Sequence, residues 1–182
     1  MASPFDQSVY QVRFEWGVDG LARLAPADVV VVVDVLRFSS TVGDAVSAGE
    51  RVELASALDW SRNGAAVAAA AAGDAIVLVG GIRNASAVAR AVQTVQERRQ
   101  ARTSVAVIAA GEADAEGVVR VAVEDQLGAG AVIAALTDLG IDGYVTTGIF
   151  GVALFHALAT APTGIAGQLA ALFARFSKGE AR

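Results

Sequence analysis

The chain contains no cysteine. It therefore has no disulfide frame, no thiolate nucleophile and no cysteine-ligated zinc. No apolar run approaches the roughly 20 residues needed to cross a bilayer, which argues against membrane association through a span. Met1-Ala-Ser-Pro-Phe-Asp6 has neither a basic region nor an apolar core and does not read as a secretory signal. Together these absences point to a cytoplasmic protein. Basic residues are few: 14 Lys and Arg stand against 19 Asp and Glu, for a net charge of −5. The only basic cluster, Arg98-Arg99 with Arg102, falls at an expected helix end, where cations complement the dipole. A phosphate backbone needs more than that, so no nucleic acid is expected as a partner. No Gly-x-Gly-x-x-Gly turn follows a strand and there is no Walker loop, which argues against a nucleotide-binding oxidoreductase.

What the chain has in quantity is apolar residue, 54% against 18% charged over 182 residues. That supports one well-packed domain and excludes disorder as the default. Much of the apolar content is alanine, which implies tight, helix-rich packing. We expect a single α/β domain over 1–182: a three-layer α/β/α fold with a mainly parallel sheet and a helical C-terminus.

The patterning supports this class. Val9–Trp16 alternates, with Tyr10, Val12, Phe14 and Trp16 on one face, and predicts a half-exposed edge strand. Gly17-Val-Asp-Gly20 reads as a turn. Val29–Val33 is a β-branched run and predicts a central strand buried on both faces. Thr41–Ala48 predicts a helix closed by Gly49, Val52–Leu54 a short strand, and Ala57–Ala72 a helix interrupted by Gly64. Ala75–Val79 and Val105–Ala109 predict two further buried strands, with a helix over Ala85–Arg99 between them. Val118–Val123 reads as a short fourth strand and Glu124–Leu139 as a helix. Ile149–Thr160 and Ile165–Phe176 read as two final helices. Strands alternating with helices imply a parallel sheet covered on both faces.

The most informative stretch is Val29-Val-Val-Val-Val-Asp34-Val-Leu-Arg37-Phe-Ser39-Ser40-Thr41. A buried strand has no structural need for an acid, an arginine and three hydroxyls at its end. Open α/β sheets keep their chemistry there. The other buried strands end in Gly80-Gly-Ile-Arg83-Asn84 and Ala110-Gly-Glu112, and Arg120 precedes Glu124-Asp125 at a helix start. If the strands run parallel, these ends share one rim. Carboxylates among arginines, with helix N-termini pointing inward, suit Mg²⁺ and a phosphorylated anion. Each residue also has a plainer reading. Ser39, Ser40 or Thr41 could cap a helix, Asp34 could pair with Arg37, and Asn84 could be an N-cap. Glu124 and Asp125 could serve the helix dipole. Arg83 could be a solvated surface residue, and Arg120 could pair with a nearby acid.

These segments, in this order over residues 8–140, resemble the 2-phosphosulfolactate phosphatase family. The strings that carry the likeness are Asp34-Val-Leu-Arg37, Asn84-Ala-Ser-Ala-Val-Ala and Glu124-Asp125-Gln-Leu-Gly-Ala-Gly. The family's longer middle segment, with its Thr-Thr-Asn-Gly-Thr loop, is represented here only by Ser61-Arg62-Asn63-Gly64-Ala65. Phe176–Arg182 reads as the start of a tail that the family continues. The resemblance implies magnesium-dependent hydrolysis of a small phosphorylated organic acid, such as 2-phosphosulfolactate, to sulfolactate and phosphate, as in coenzyme M biosynthesis. It needs no catalytic histidine, which suits a chain whose single histidine is His156.

By that resemblance the catalytic set is Asp34, Arg37, Asn84, Arg120 and Glu124. Asp34 with Glu124 or Asp125 would hold the metal, and Arg37 with Ser39, Ser40 and Thr41 would hold phosphate. Asn84 would position substrate or water, and Arg120 would take the second anionic group. Positioning and charge stabilisation carry most phosphoryl transfer, so no strong nucleophile is required. A covalent role for Asp34 is weakened by the absence of an Asp-x-Asp pattern. Two other classes stay open. One is a catalytically impaired paralogue that binds organic anions or phosphate. The other is an assembly protein, its Ala-rich helices serving a subunit interface. A homo-oligomer, most simply a dimer, is expected in either case.

Overall fold

The computed structural model describes residues 5–57, 59–73 and 75–141. Its centre is a four-stranded parallel sheet in the order β1-β4-β2-β3. The strands are β1 (Val12–Trp16), β2 (Val29–Val33), β3 (Ile76–Gly80) and β4 (Val105–Ala109). Six α-helices accompany them among the described residues: α1 (Gly17–Arg23), α2 (Ser40–Ser47), α3 (Leu54–Ala57), α4 (Asn63–Ala71), α5 (Ala85–Arg99) and α6 (Val123–Asp138). Two-residue strands β5 (Glu112–Ala113) and β6 (Val119–Arg120) form a small antiparallel ladder beyond β4.

The valine run occupies the middle of the sheet and is buried throughout, as its composition requires. Its alternate residues feed two cores. Val29, Val31 and Val33, with Val105 and Val107, pack against Val88, Val92, Val132 and Leu136 of α5 and α6. Val30 and Val32, with Ala106 and Ile108, pack against Val67, Ala68 and Phe38 on the other face, beneath α1 and α4. This is the three-layer α/β/α arrangement that the patterning predicts.

Several elements differ from their sequence reading. Gly17–Gly20 begins a helix rather than a turn, because Leu21 and Leu24 anchor it to the core despite two weak helix formers. Val52–Leu54 forms no strand, and Leu54 opens the short α3. The long helix expected over Ala57–Ala72 divides, and α4 begins only at Asn63. β3 is an edge strand with Ile76 exposed, not a buried one. The segment near Val118 contributes only β6, outside the main sheet, whose fourth strand is β1. β1 is an edge strand as expected, but its polar face is also covered: Arg13 is buried and donates to the carbonyls of Tyr10, Ala25 and Pro26. The helices expected over 149–160 and 165–176, and His156, lie outside the described residues.

Topology sets where a site can form. The chain leaves β1 and β2 toward the α1/α4 face, and leaves β3 and β4 toward the α5/α6 face. Every neighbouring pair of strands therefore sends its loops in opposite directions. Crevices open between such loops, at the carboxyl ends of the strands.

Candidate active site at the carboxyl rim of the sheet

Asp34 ends β2 and turns its side chain toward the α4 face. It is only 4% exposed. Its Oδ2 accepts the Ser61 hydroxyl at 2.5 Å and the Gly64 N–H at 2.9 Å. Gly64 lies in the first turn of α4, so Asp34 caps that helix from 30 residues away. Close approach requires glycine there: a Cβ would meet both Asp34 and Phe38 below 3 Å. Asp34 does not pair with Arg37. Its Oδ1 accepts no hydrogen bond among the described residues. No buried side-chain oxygen in that set lacks a partner, so Oδ1 is the oxygen that reaches solvent.

Asp125 fills the crevice between β4 and β2. It stands in the first turn of α6 and is 3% exposed. Its Oδ1 accepts the Val35 N–H at 2.7 Å and its Oδ2 the Gly111 N–H at 2.9 Å. Its carboxyl is pushed up to about 6: burial raises it most, those two N–H groups pull against the rise, and the negative charges of Asp34 and Glu124 add to it. Both neighbouring carboxylates are thus close enough to be felt. Glu124 is half-buried and makes no side-chain hydrogen bond among the described residues.

A cleft of about 630 Å³ opens between the loops that leave β2 and β3. One wall carries Ser39, Ser40 and Asp44, and the other Gly81, Arg83 and Asn84. Asn84 occupies the N-cap of α5 but does not cap it. Its Nδ2 donates instead to the Val79 carbonyl at 2.9 Å, which fixes the side chain against the end of β3. The Ser39 hydroxyl accepts the Asp34 N–H at 2.9 Å, and the Ser40 hydroxyl donates to the Val35 carbonyl at 2.7 Å. Neither caps α2 through its side chain.

The predicted site residues therefore fall into three groups along the rim. Ser39, Ser40 and Asn84 line the cleft. Asp34, Glu124 and Asp125 do not line it; Asp125, in the neighbouring crevice, feels the charge of both Asp34 and Glu124. Arg37, Thr41 and Arg120 do not line the cleft either. Arg37 is exposed without an ion pair among the described residues, and Thr41 is half-buried in α2. Arg120 pairs with Glu112 across the β5–β6 ladder, as its plainer reading had it. A second, smaller cleft of about 330 Å³, between the loops after β1 and β4, is lined by Asp19, Arg62, Asn63 and Glu116.

Magnesium takes hard oxygen donors, commonly one or two carboxylates completed by water and substrate phosphate. Asp125 does not fit as a ligand, because backbone N–H groups hold both of its oxygens. Asp34 Oδ1 and Glu124 fit, since each leaves an oxygen uncommitted. No group of three or more His, Asp or Glu side chains stands ready to hold a metal among the described residues.

No family model, curated protein or solved structure gives a significant match to this chain. No helix among the described residues is long and apolar enough to cross a membrane.

Sequence reasoning missed two partners at the rim. Gly64 reads in sequence as an interruption, whereas it lets α4 start against Asp34. Asp44 was not singled out, although Ser40, Gly43, Asp44 and Ser47 repeat at the i, i+3, i+4, i+7 spacing of one helix face. That face forms a wall of the cleft.

Proposed function

We propose that the chain is a phosphoric monoester hydrolase acting on a small phosphorylated organic acid of the 2-phosphosulfolactate type. One observation carries this reading. Asp125, from the last of the resembling segments, bonds Val35 of the first and Gly111 of the third. Asn84, of the second, sits on the same rim against the end of β3. Segments far apart in sequence thus share one rim of a parallel sheet, beside a cleft of a size suited to a small acid.

In this reading Asn84 and Ser39 position the phosphoryl group in the cleft. Asn84 is held by Val79, and Ser39 by the Asp34 N–H, so both are preorganised. Ser61 and Gly64 fix Asp34 by one oxygen and leave the other toward solvent. Asp34 and Glu124 would hold Mg²⁺, which supplies charge neutralisation to the phosphoryl oxygens. Arg37 adds positive charge at the rim. The protein would work in the cytoplasm as a dimer, the exposed Ala66, Ala69 and Ala70 of α4 offering a small-residue face.

The test is phosphate release from 2-phosphosulfolactate, 2-phospholactate and related esters, with and without Mg²⁺. Release that Asp34→Asn abolishes supports the proposal, and silence across the whole panel refutes it. A second reading has its own support: Asp125 and Ser40 spend their polar atoms on backbone. A site so internally bonded suits an organic-anion binding protein, and tight binding without phosphate release would favour it.

A further inference from the structure

The cleft's cation is already engaged. Arg83 Nη2 reaches Asp44 Oδ1 at 2.7 Å, although 39 residues separate them and both side chains are about two-thirds exposed. The two residues stand on opposite walls, Arg83 on the β3–α5 turn and Asp44 on α2, and both line the cleft. The ion pair therefore spans the cleft. Ser39, 7% exposed, lies deeper. Arg120 is occupied elsewhere by Glu112.

We propose that Arg83 is the residue that takes the substrate's second anionic group, a carboxylate or sulfonate, and that Asp44 is its place-holder in the empty cleft. This rests on the phosphatase reading for its substrate class, but not on any catalytic step. Two arguments support it. A guanidinium offers a planar fork to an oxyanion, and a carboxylate partner shows that the fork already faces one in this position. An exposed ion pair is weak, so exchanging Asp44 for a ligand group that enters with an anchored phosphate is cheap. A ligand with charge at both ends would place its phosphate at the Ser39 end and its second charge at the mouth. The cleft would then select phosphate esters that carry a second anionic group over simple alkyl phosphates.

Calorimetric titration with 2-phospholactate, 2-phosphosulfolactate and ethyl phosphate tests this, with phosphate release followed in parallel. Arg83→Gln should weaken binding of the first two about tenfold or more and leave ethyl phosphate unchanged. Asp44→Asn should tighten the first two up to about fivefold, since the place-holder no longer competes. Comparison of 2-phospholactate with 2-phosphosulfolactate separates carboxylate from sulfonate recognition. Equal affinities in wild type and Arg83→Gln, equal loss for ethyl phosphate, or no binding of either phosphorylated acid to wild type would overturn the inference. Phosphate release that survives such a result would leave the hydrolase reading standing, and selective binding without release would do the reverse. Both side chains are exposed, so these variants should fold, and unchanged melting temperatures check that.

Discussion

Asp125 accepts the Val35 N–H across 90 positions of sequence, and through its other oxygen the Gly111 N–H. One side chain thereby ties the ends of β2 and β4, which are neighbours in the sheet. Truncation would strand the buried Gly111 N–H and leave the half-buried Val35 N–H to water. Stranding a buried donor costs about 1–3 kcal/mol. Asp125→Ala should therefore lower unfolding free energy at neutral pH by about 1–3 kcal/mol, read from urea melts. A loss below about 0.5 kcal/mol would show that water or repacking serves those groups.

The same carboxyl gives the fold a pH dependence. Its folded value, about 6, lies above the roughly 4 of an unfolded aspartate. The folded state therefore binds the proton more tightly. Stability from this group is complete below about pH 4 and is lost as pH rises through about 6. In metal-free buffer the loss should be no more than about 3 kcal/mol, and Asp125→Asn should remove it. Asp28 works in the opposite sense. Burial would raise it, but the N–H and hydroxyl of Ser104 and the charge of Arg99 outweigh that and hold it below its usual value. Its contribution is present above about pH 4 and lost below. Chemical melts from pH 3.5 to 7.5 on wild type and Asp125→Asn separate the two, and parallel curves between pH 4 and 7 would contradict the Asp125 assignment.

Gly64 is a packing constraint rather than a flexible joint. A Cβ there would lie 2.7 Å from Asp34 Cβ and 2.8 Å from the Phe38 ring. Gly64→Ala should cost about 1–3 kcal/mol through overpacking, despite alanine's better helix propensity. Gly43→Ala is the control: its added Cβ meets nothing within 4 Å, so it should hold or raise the melting temperature. Equal effects from both would show that the contact at Gly64 relaxes freely.

Arg120 offers the opposite expectation. It and Glu112 are exposed, and such pairs contribute little. Arg120→Ala should move the urea midpoint hardly at all and leave affinity for phosphorylated acids unchanged. A tenfold loss of affinity would return to Arg120 the anion-binding role that its position in sequence suggested.

What could be read from sequence follows physical lines. The valine run announced a central strand because β-branched residues without polar interruption have no other comfortable place. Ala85–Arg99 was legible at both ends, since Asn84 and the terminal arginines punctuate it. Local pattern could not show that Asp34 would cap α4, because that hydrogen bond joins segments whose distance is set by tertiary packing. For the same reason α4 looked longer than it is. Asp125 read equally well as a helix-dipole partner or a metal ligand, and only the crevice between β4 and β2 shows what its oxygens face. Arg83 reads in sequence as a rim arginine or a solvated one and Asp44 carries no signal of its own; only the fold sets them on opposite walls of one cleft.

Asp34 decides between chemistry and architecture. Its Oδ2 serves Ser61 and Gly64, while Oδ1 is the oxygen left for a ligand. Asp34→Asn can keep a carbonyl oxygen toward Gly64 and Ser61 while removing the charge, so the start of α4 should survive with a loss of about 1 kcal/mol or less. Phosphate release, if Asp34 acts on the phosphoryl group or its counter-ion, should fall at least a hundredfold. Ser61→Ala removes one donor but no charge, so it should cost about 1 kcal/mol and reduce release only severalfold. Melting curves beside initial rates for the two variants give the comparison. Rates that track stability equally in both would make Asp34 a helix cap and nothing more. A collapse confined to Asp34→Asn, with its melting temperature nearly intact, would make the Asp34 charge part of the chemistry, on the phosphoryl group or its counter-ion.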